Sequence, residues 1–166
     1  MHKTVAESTA FVRAVLALDP DLETVDAVLF PPFTSLFATG DALTGSRLGL
    51  GGQTMCDAES GAFTGEISPL MLLDCGARWV ILGHSERRAC NGETDAAVNR
   101  KVHIALRLGI TPIVAVGESA ADHAAGRTHD HVVAQPHIDG ALVGGASLDP
   151  RSFCDLIANA RAGVHR

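Results

Sequence analysis

The sequence predicts an α/β fold, a parallel sheet with helices packed outside it. Three observations carry that expectation. Short apolar runs end in glycine or proline, helical patterns follow them, and the two alternate at the spacing of strand–helix units. The clearest unit is Trp79-Val80-Ile81-Leu82, which runs into Gly83 and His84 and then a charged segment, Ser85-Glu86-Arg87-Arg88, that starts a helix. In such sheets ligands sit beyond the carboxyl ends of the strands, so a histidine directly after a strand is placed to act. From spacing alone, His84 reads equally well as a helix cap.

With 166 residues, 46% of them hydrophobic, the chain has material for one domain with a sizeable core. A formal charge of -6 and a pI near 5.7, with Lys and Arg scattered singly, argue against a nucleic-acid or anionic-membrane surface. Small soluble ligands are the expected partners. The four cysteines, Cys56, Cys75, Cys90 and Cys154, form no C-x-x-C pair and suit free thiols in a reducing compartment. There is no run of about 18 apolar residues, and Met1-His2-Lys3-Thr4 leads into a helical pattern and not an apolar signal core. The expected location is cytoplasmic.

Taken in order, residues 5 to 18 place Phe11, Val12, Val15 and Leu16 on one helical face. Val25 to Phe30 follows as a strand, stopped by Pro31-Pro32. A helix over 33–43 leads to a short buried strand, Leu48 to Gly52, whose glycines let a neighbouring layer or a ligand come close. This is not a dinucleotide fingerprint, because the G-x-G-x-x-G spacing fails at Thr54. Residues 53–66 form a long polar loop of the kind that is usually functional, and a short helix over 68–75 precedes the strand at Trp79. The next helix, 94–108, is expected to turn Ala97, Val98, Val102, Ala105 and Leu106 to one side. A strand over 111–116 ends in Gly117-Glu118-Ser119. A weak helical pattern fills 120–135, with His123, His129, His131 and His137 on polar ground there and just beyond; no carboxylate or thiol completes a ligand set, so no metal is expected. Past Pro136, residues 138–143 read as a last strand, followed by Gly144-Gly145 and a helix over 150–160.

These stretches closely resemble the triosephosphate isomerase family. Ile81-Leu82-Gly83-His84-Ser85-Glu86-Arg87-Arg88 is similar to the family's signature after its fourth strand, and Gly61 to Glu66 to its dimer-forming third loop. Pro112 to Glu118 is similar to its fifth strand, with Ala115 where the family usually has cysteine. Ile138 to Leu148 is similar to the eighth strand and the phosphate-binding turn. The resemblance implies a TIM (β/α)8 barrel, in this chain an incomplete one with about five of eight parallel strands, because the complete barrel takes about 250 residues. It also implies a single partial domain over 1–166 with a deletion junction at 135–136. Strands six and seven, the catalytic glutamate base and the lid loop then have no counterpart. The family's Asn-x-Lys motif would lie just ahead of Met1.

The implied activity is the interconversion of dihydroxyacetone phosphate and glyceraldehyde 3-phosphate in glycolysis and gluconeogenesis, without a cofactor. The family is itself the standard case of a glutamate base working with a neutral histidine under a water-excluding loop. By resemblance His84 is the electrophile and Glu86 supports it. Gly144 and Gly145 bind the substrate phosphate at a helix start, and Thr64, Gly65 and Glu66 belong to a homodimer contact. Without its base the chain is expected to turn over slowly, and Glu118, at a strand end on the catalytic face, is not expected to come within the about 3 Å that a replacement base needs. Five strands cannot close a barrel, so Val114, Val116 and Leu142 are expected at an open edge or an unfilled interior. The alternatives are a non-catalytic remnant that binds phosphate or a second subunit, and a truncated product without function.

Overall fold

The computed structural model describes residues 1–117 and 138–164. The expected helix over 120–135, its histidines, Glu118 and the 135–136 junction lie outside the described residues.

Helix α1 (Val5–Ala17) opens with a capping box, in which the Thr4 hydroxyl accepts from Glu7 N–H and the Glu7 carboxylate accepts from Thr4 N–H at 2.7 Å. Its buried face is Ser8, Phe11, Val12 and Val15; the apolar spacing predicts the last three, whereas Leu16 is half-buried and Ser8 carries no apolar signal. Strand β1 (Val28–Leu29) is shorter than its apolar run, and α2 (Phe33–Ala42) begins right after the double proline. Strand β2 (Gly49–Gly52) is nearly all glycine for a steric reason. A Cβ on Gly51 would clash with the edge of the Phe30 ring at 2.2 Å and lie 2.9 Å from the Trp79 carbonyl, while one on Gly52 would meet a Leu72 methyl at 2.8 Å. The neighbouring layers, not a ligand, occupy the space these glycines leave.

Helix α3 (Pro69–Asp74) is capped by Ser68, whose hydroxyl accepts from Met71 N–H at 3.2 Å. Strand β3 (Trp79–Leu82) is the best buried, with Val80 and Leu82 wholly inaccessible. Helices α4 (Ser85–Asn91) and α5 (Asp95–Arg107) follow, separated by Gly92 in the left-handed conformation that ends α4. Strand β4 (Thr111–Val114) completes a four-stranded sheet in the order β1-β2-β3-β4. Every pair is parallel, and the β3–β4 register runs from Trp79↔Thr111 to Leu82↔Val114. The fold is thus a partial α/β barrel with helices outside a parallel sheet.

Two expectations are corrected. Residues 138–144 carry no regular element and pair with no strand, so the described residues form four strands and not five. Leu142 and Val143 are exposed there: an apolar run makes a strand only where a partner ladder pairs with its N–H and C=O groups, and none does so among the described residues. On α5 the buried positions are Val98, Lys101 and Ala105, whereas Leu106 is 60% exposed. The face is rotated because a lysine takes a core position that apolar counting assigns elsewhere. Gly144-Gly145 leads into a 3-10 turn (Gly145–Leu148), and α6 (Pro150–Val164) begins where the sequence places it. Helix α6 packs on α1, where the Phe11 and Phe153 rings lie 6.0 Å apart.

Among the described residues no strand pairs with the far side of β4. Thr111 N–H donates to the Arg78 carbonyl at 2.8 Å and Ala115 N–H to the Leu82 carbonyl at 2.9 Å. Since alternate residues of a strand point their polar groups to opposite sides, Pro112, Val114 and Val116 face away from β3. Val114 and Val116 are exposed, as expected of an unclosed barrel.

Candidate active site around His84

His84 stands at the carboxyl end of β3 and is the N-cap of α4, so the two readings that spacing left open coincide. Its Nδ1 accepts from the Glu86 backbone N–H at 3.3 Å. A neutral imidazole that accepts at Nδ1 carries its proton on Nε2, which leaves Nε2–H as the free donor. The ring is about one-third exposed, open enough for a substrate oxygen to reach. The Glu86 carboxylate is turned to solvent, its Oε2 3.9 Å from Nδ1 and too far for a hydrogen bond. Glu86 therefore serves His84 through its main chain and not its acid.

Both peptide groups of Gly83 are held by side chains. Its N–H donates to Glu93 Oε2 at 3.0 Å, and its carbonyl accepts from Arg88 Nε at 2.8 Å. Gly83 has φ of +72°, and a Cβ there would also meet the Arg88 guanidinium at 2.8 Å, so only glycine fits. Arg88 is steadied in turn by Asp95 at 2.6 Å.

Glu93 and Lys101, which sequence reasoning missed, are the buried charges of this region. Lys101 Nζ lies 2.5 Å from Glu93 Oε1 and 3.5 Å from the Thr54 hydroxyl. Burial pushes the Glu93 carboxyl up, but the Lys101 ammonium, the Gly83 N–H and the Arg87 charge outweigh it and hold the group below its ordinary value. Arg87 Nε is 3.8 Å from Glu93 and has no hydrogen-bond partner among the described residues.

The loop that carries Thr64, Gly65 and Glu66 is closed at its base by Cys56 N–H donating to the Ile67 carbonyl at 2.8 Å. Two ion pairs fasten it to α5, Asp57 with Arg100 at 2.8 Å and Glu59 with Arg107 at 2.7 Å. The Arg100 hydrogen bond holds the Asp57 carboxyl below its ordinary value against a smaller opposing effect of burial. At the tip, Thr64, Gly65 and Glu66 are exposed beside Phe63, also exposed, and Gly65 has φ of +92°.

Gly144 and Gly145 are exposed at the start of the 3-10 turn. Ser147 locks that turn, its hydroxyl donating to the Gly144 carbonyl at 2.7 Å and to the Val143 carbonyl at 2.9 Å. No hydrogen bond or ion pair among the described residues joins the turn to His84. Nor is there a cluster of metal-ligating side chains among the described residues.

The family model for triosephosphate isomerase matches residues 1–136 and 129–160, which together are nearly the whole chain. The triosephosphate isomerase of Symbiobacterium thermophilum is 36% identical over 244 residues, an alignment that takes in 98% of this chain and 95% of that protein. That span is longer than the chain's own 166 residues, so part of the relative has no counterpart here. The triosephosphate isomerase of Chloroflexus aurantiacus is 50% identical over 135 residues, 81% of this chain and 54% of that protein. For the enzyme of Carboxydothermus hydrogenoformans the figures are 46% identity over 77% of this chain and 51% of that protein, so in these two matches the chain spans about half the relative's length. By the family model and by these relatives, the chain belongs to the triosephosphate isomerase family.

Proposed function

We propose that His84 is the electrophile of an aldose–ketose isomerase site acting on dihydroxyacetone phosphate and glyceraldehyde 3-phosphate. The observation that carries this reading is the 3.3 Å hydrogen bond from Glu86 N–H to Nδ1, which aims the one remaining donor, Nε2–H, outward at the strand end. When a base removes the proton beside the substrate carbonyl, the electron pair moves onto the carbonyl oxygen and an enediolate forms. A donor already oriented at that oxygen stabilises the charge as it develops. The reaction needs no cofactor.

The base is the weak point. Among the described residues, Glu86 points to solvent and Glu93 is buried against Lys101, so neither carboxylate near His84 in sequence can take the proton. Glu118 lies outside the described residues. Loss of a base costs a factor of about 10²–10⁴, and slow turnover is the expectation for this chain. A deletion junction at Gln135–Pro136 fits the family match falling in two stretches and the longer span of the aligned relative. A coupled assay with glyceraldehyde 3-phosphate tests this. Turnover within about tenfold of an intact relative, abolished by His84→Gln, would overturn the claim that the base is missing while keeping the role of His84.

Gly144 and Gly145 are proposed as the phosphate site, supported by their exposed backbone, and Thr64, Gly65 and Glu66 as a homodimer contact, supported by their place on an exposed loop fastened at two points. These features would also serve a non-catalytic, phosphate-binding or dimer-forming chain. A cytoplasmic location is proposed from the four free cysteines.

A further inference from the structure

We propose that Glu93 is the positioning residue of His84, acting through the Gly83 N–H, and that Lys101 holds Glu93 in the orientation this needs. The inference rests on reading His84 as the donor to substrate.

The clamp is placed where the chain is least able to hold itself. Gly83 has left-handed backbone and no side chain, so nothing of its own restrains the peptide that leads into His84. Glu93 restrains the peptide on one side of Gly83, and Arg88 the peptide on the other. The angle at which His84 enters α4 is set between them, and that angle decides whether Nδ1 meets the Glu86 N–H.

Glu93 divides its two oxygens between two partners. Oε2 accepts from Gly83, and Oε1 takes the Lys101 ammonium. Glu93 and Lys101 are 8% and 7% exposed, so both charges are largely withdrawn from bulk solvent. A buried ion pair is often no better for stability than a well-packed apolar pair of similar volume. An apolar pair, however, offers no acceptor to the Gly83 N–H. The carboxylate has a use here beyond holding the core together. Lys101 also reaches the Thr54 hydroxyl at the entrance to the 57–66 loop, so the same ion pair spans the carboxyl ends of β2 and β3.

The test reads the imidazole directly and does not depend on turnover. Nitrogen-15 NMR of His84 in the full chain reports the Nε2–H to Nδ1–H tautomer ratio for the unaltered protein, for Glu93→Gln and for the double variant Glu93→Leu, Lys101→Met. The double variant removes both charges at similar volume, so it keeps the core filled while deleting the acceptor. Dispersed amide signals and the fluorescence of Trp79 report folding. The expected result is a folded double variant in which the preference for Nε2–H falls by about fivefold, the equivalent of one hydrogen bond. Glu93→Asp keeps the charge beside Lys101 and is expected to recover part of that preference. An unchanged ratio in a folded variant overturns the proposal. So does unfolding of the double variant, since the pair is then needed for the core itself. Absence of turnover in the unaltered chain bears on the isomerase reading alone.

Discussion

Glu93 accepts a hydrogen bond at 3.0 Å from the backbone N–H of Gly83, ten residues earlier, and so ties the start of α5 to the exit of β3. A charged side chain from a short linker is thereby the support of the residue that precedes His84. Its partner, Lys101, comes from the second turn of α5.

Acid should unfold the chain partly through this carboxylate. The Glu93 pKa is lowered by folding from an ordinary value of 4.5, so its stabilisation is present above that pH and is lost as pH falls through the folded value. Asp57, paired with Arg100, is lowered from 3.8 and acts in the same direction. Urea midpoints measured from pH 7 down to pH 3 should fall with acid below about pH 4.5. The fall should be shallower in Glu93→Gln; an identical profile would show that Glu93 is not held as a buried carboxylate.

Lys101→Met on its own should be far more damaging than the double variant. It leaves Glu93 buried with its main counter-charge gone, and breaking one side of such a pair costs about 3–5 kcal/mol. Equilibrium urea unfolding of the two variants compares them, and equal losses would mean that water reaches Glu93.

Gly51→Ala tests the packing of β2. Its Cβ would press on the edge of the Phe30 ring and on a backbone carbonyl that cannot yield, so overpacking of about 1–3 kcal/mol is expected. Gly45→Ala is a useful comparison. Nothing lies within 4 Å of its Cβ, and its cost comes from backbone strain at φ of +83° alone.

If the Gly144-Gly145 turn binds phosphate, inorganic phosphate at about ten times its dissociation constant should raise the melting temperature by about 3–6 °C. Differential scanning fluorimetry against sodium sulfate and sodium chloride at matched ionic strength separates a site from a salt effect. No shift at tens of millimolar phosphate would remove the turn from the site.

How far the chain could be read beforehand depended on whether a feature was local. The β3–Gly83–His84 junction was legible because an apolar run, a glycine and a cap follow one another along the chain. The capping of α1 by Thr4 and of α3 by Ser68 is local in the same sense. Glu93 was not legible: lying between the αL residue Gly92 and the N-cap Thr94, it looks like a solvated linker charge. Lys101 looks like the polar face of α5. Only their meeting in space makes either of them core, and the available hint was a glutamate and a lysine eight residues apart near a helix start. The 138–143 segment fails for the opposite reason. Its apolar run, Ala141-Leu142-Val143, suits a strand, but a strand also requires a neighbour, which no single stretch of sequence can supply.

Pro112 gives the open side of β4 a particular character. Of the three residues that face away from β3, the proline has no N–H to offer, so among the described residues the donors left for an incoming chain are those of Val114 and Val116. Both side chains are exposed as well. Unwanted cross-β association during expression or at high concentration should therefore begin at this two-residue step and hardly at all at Pro112. A lysine at Val116 would discourage it without touching His84 or the buried pair behind it.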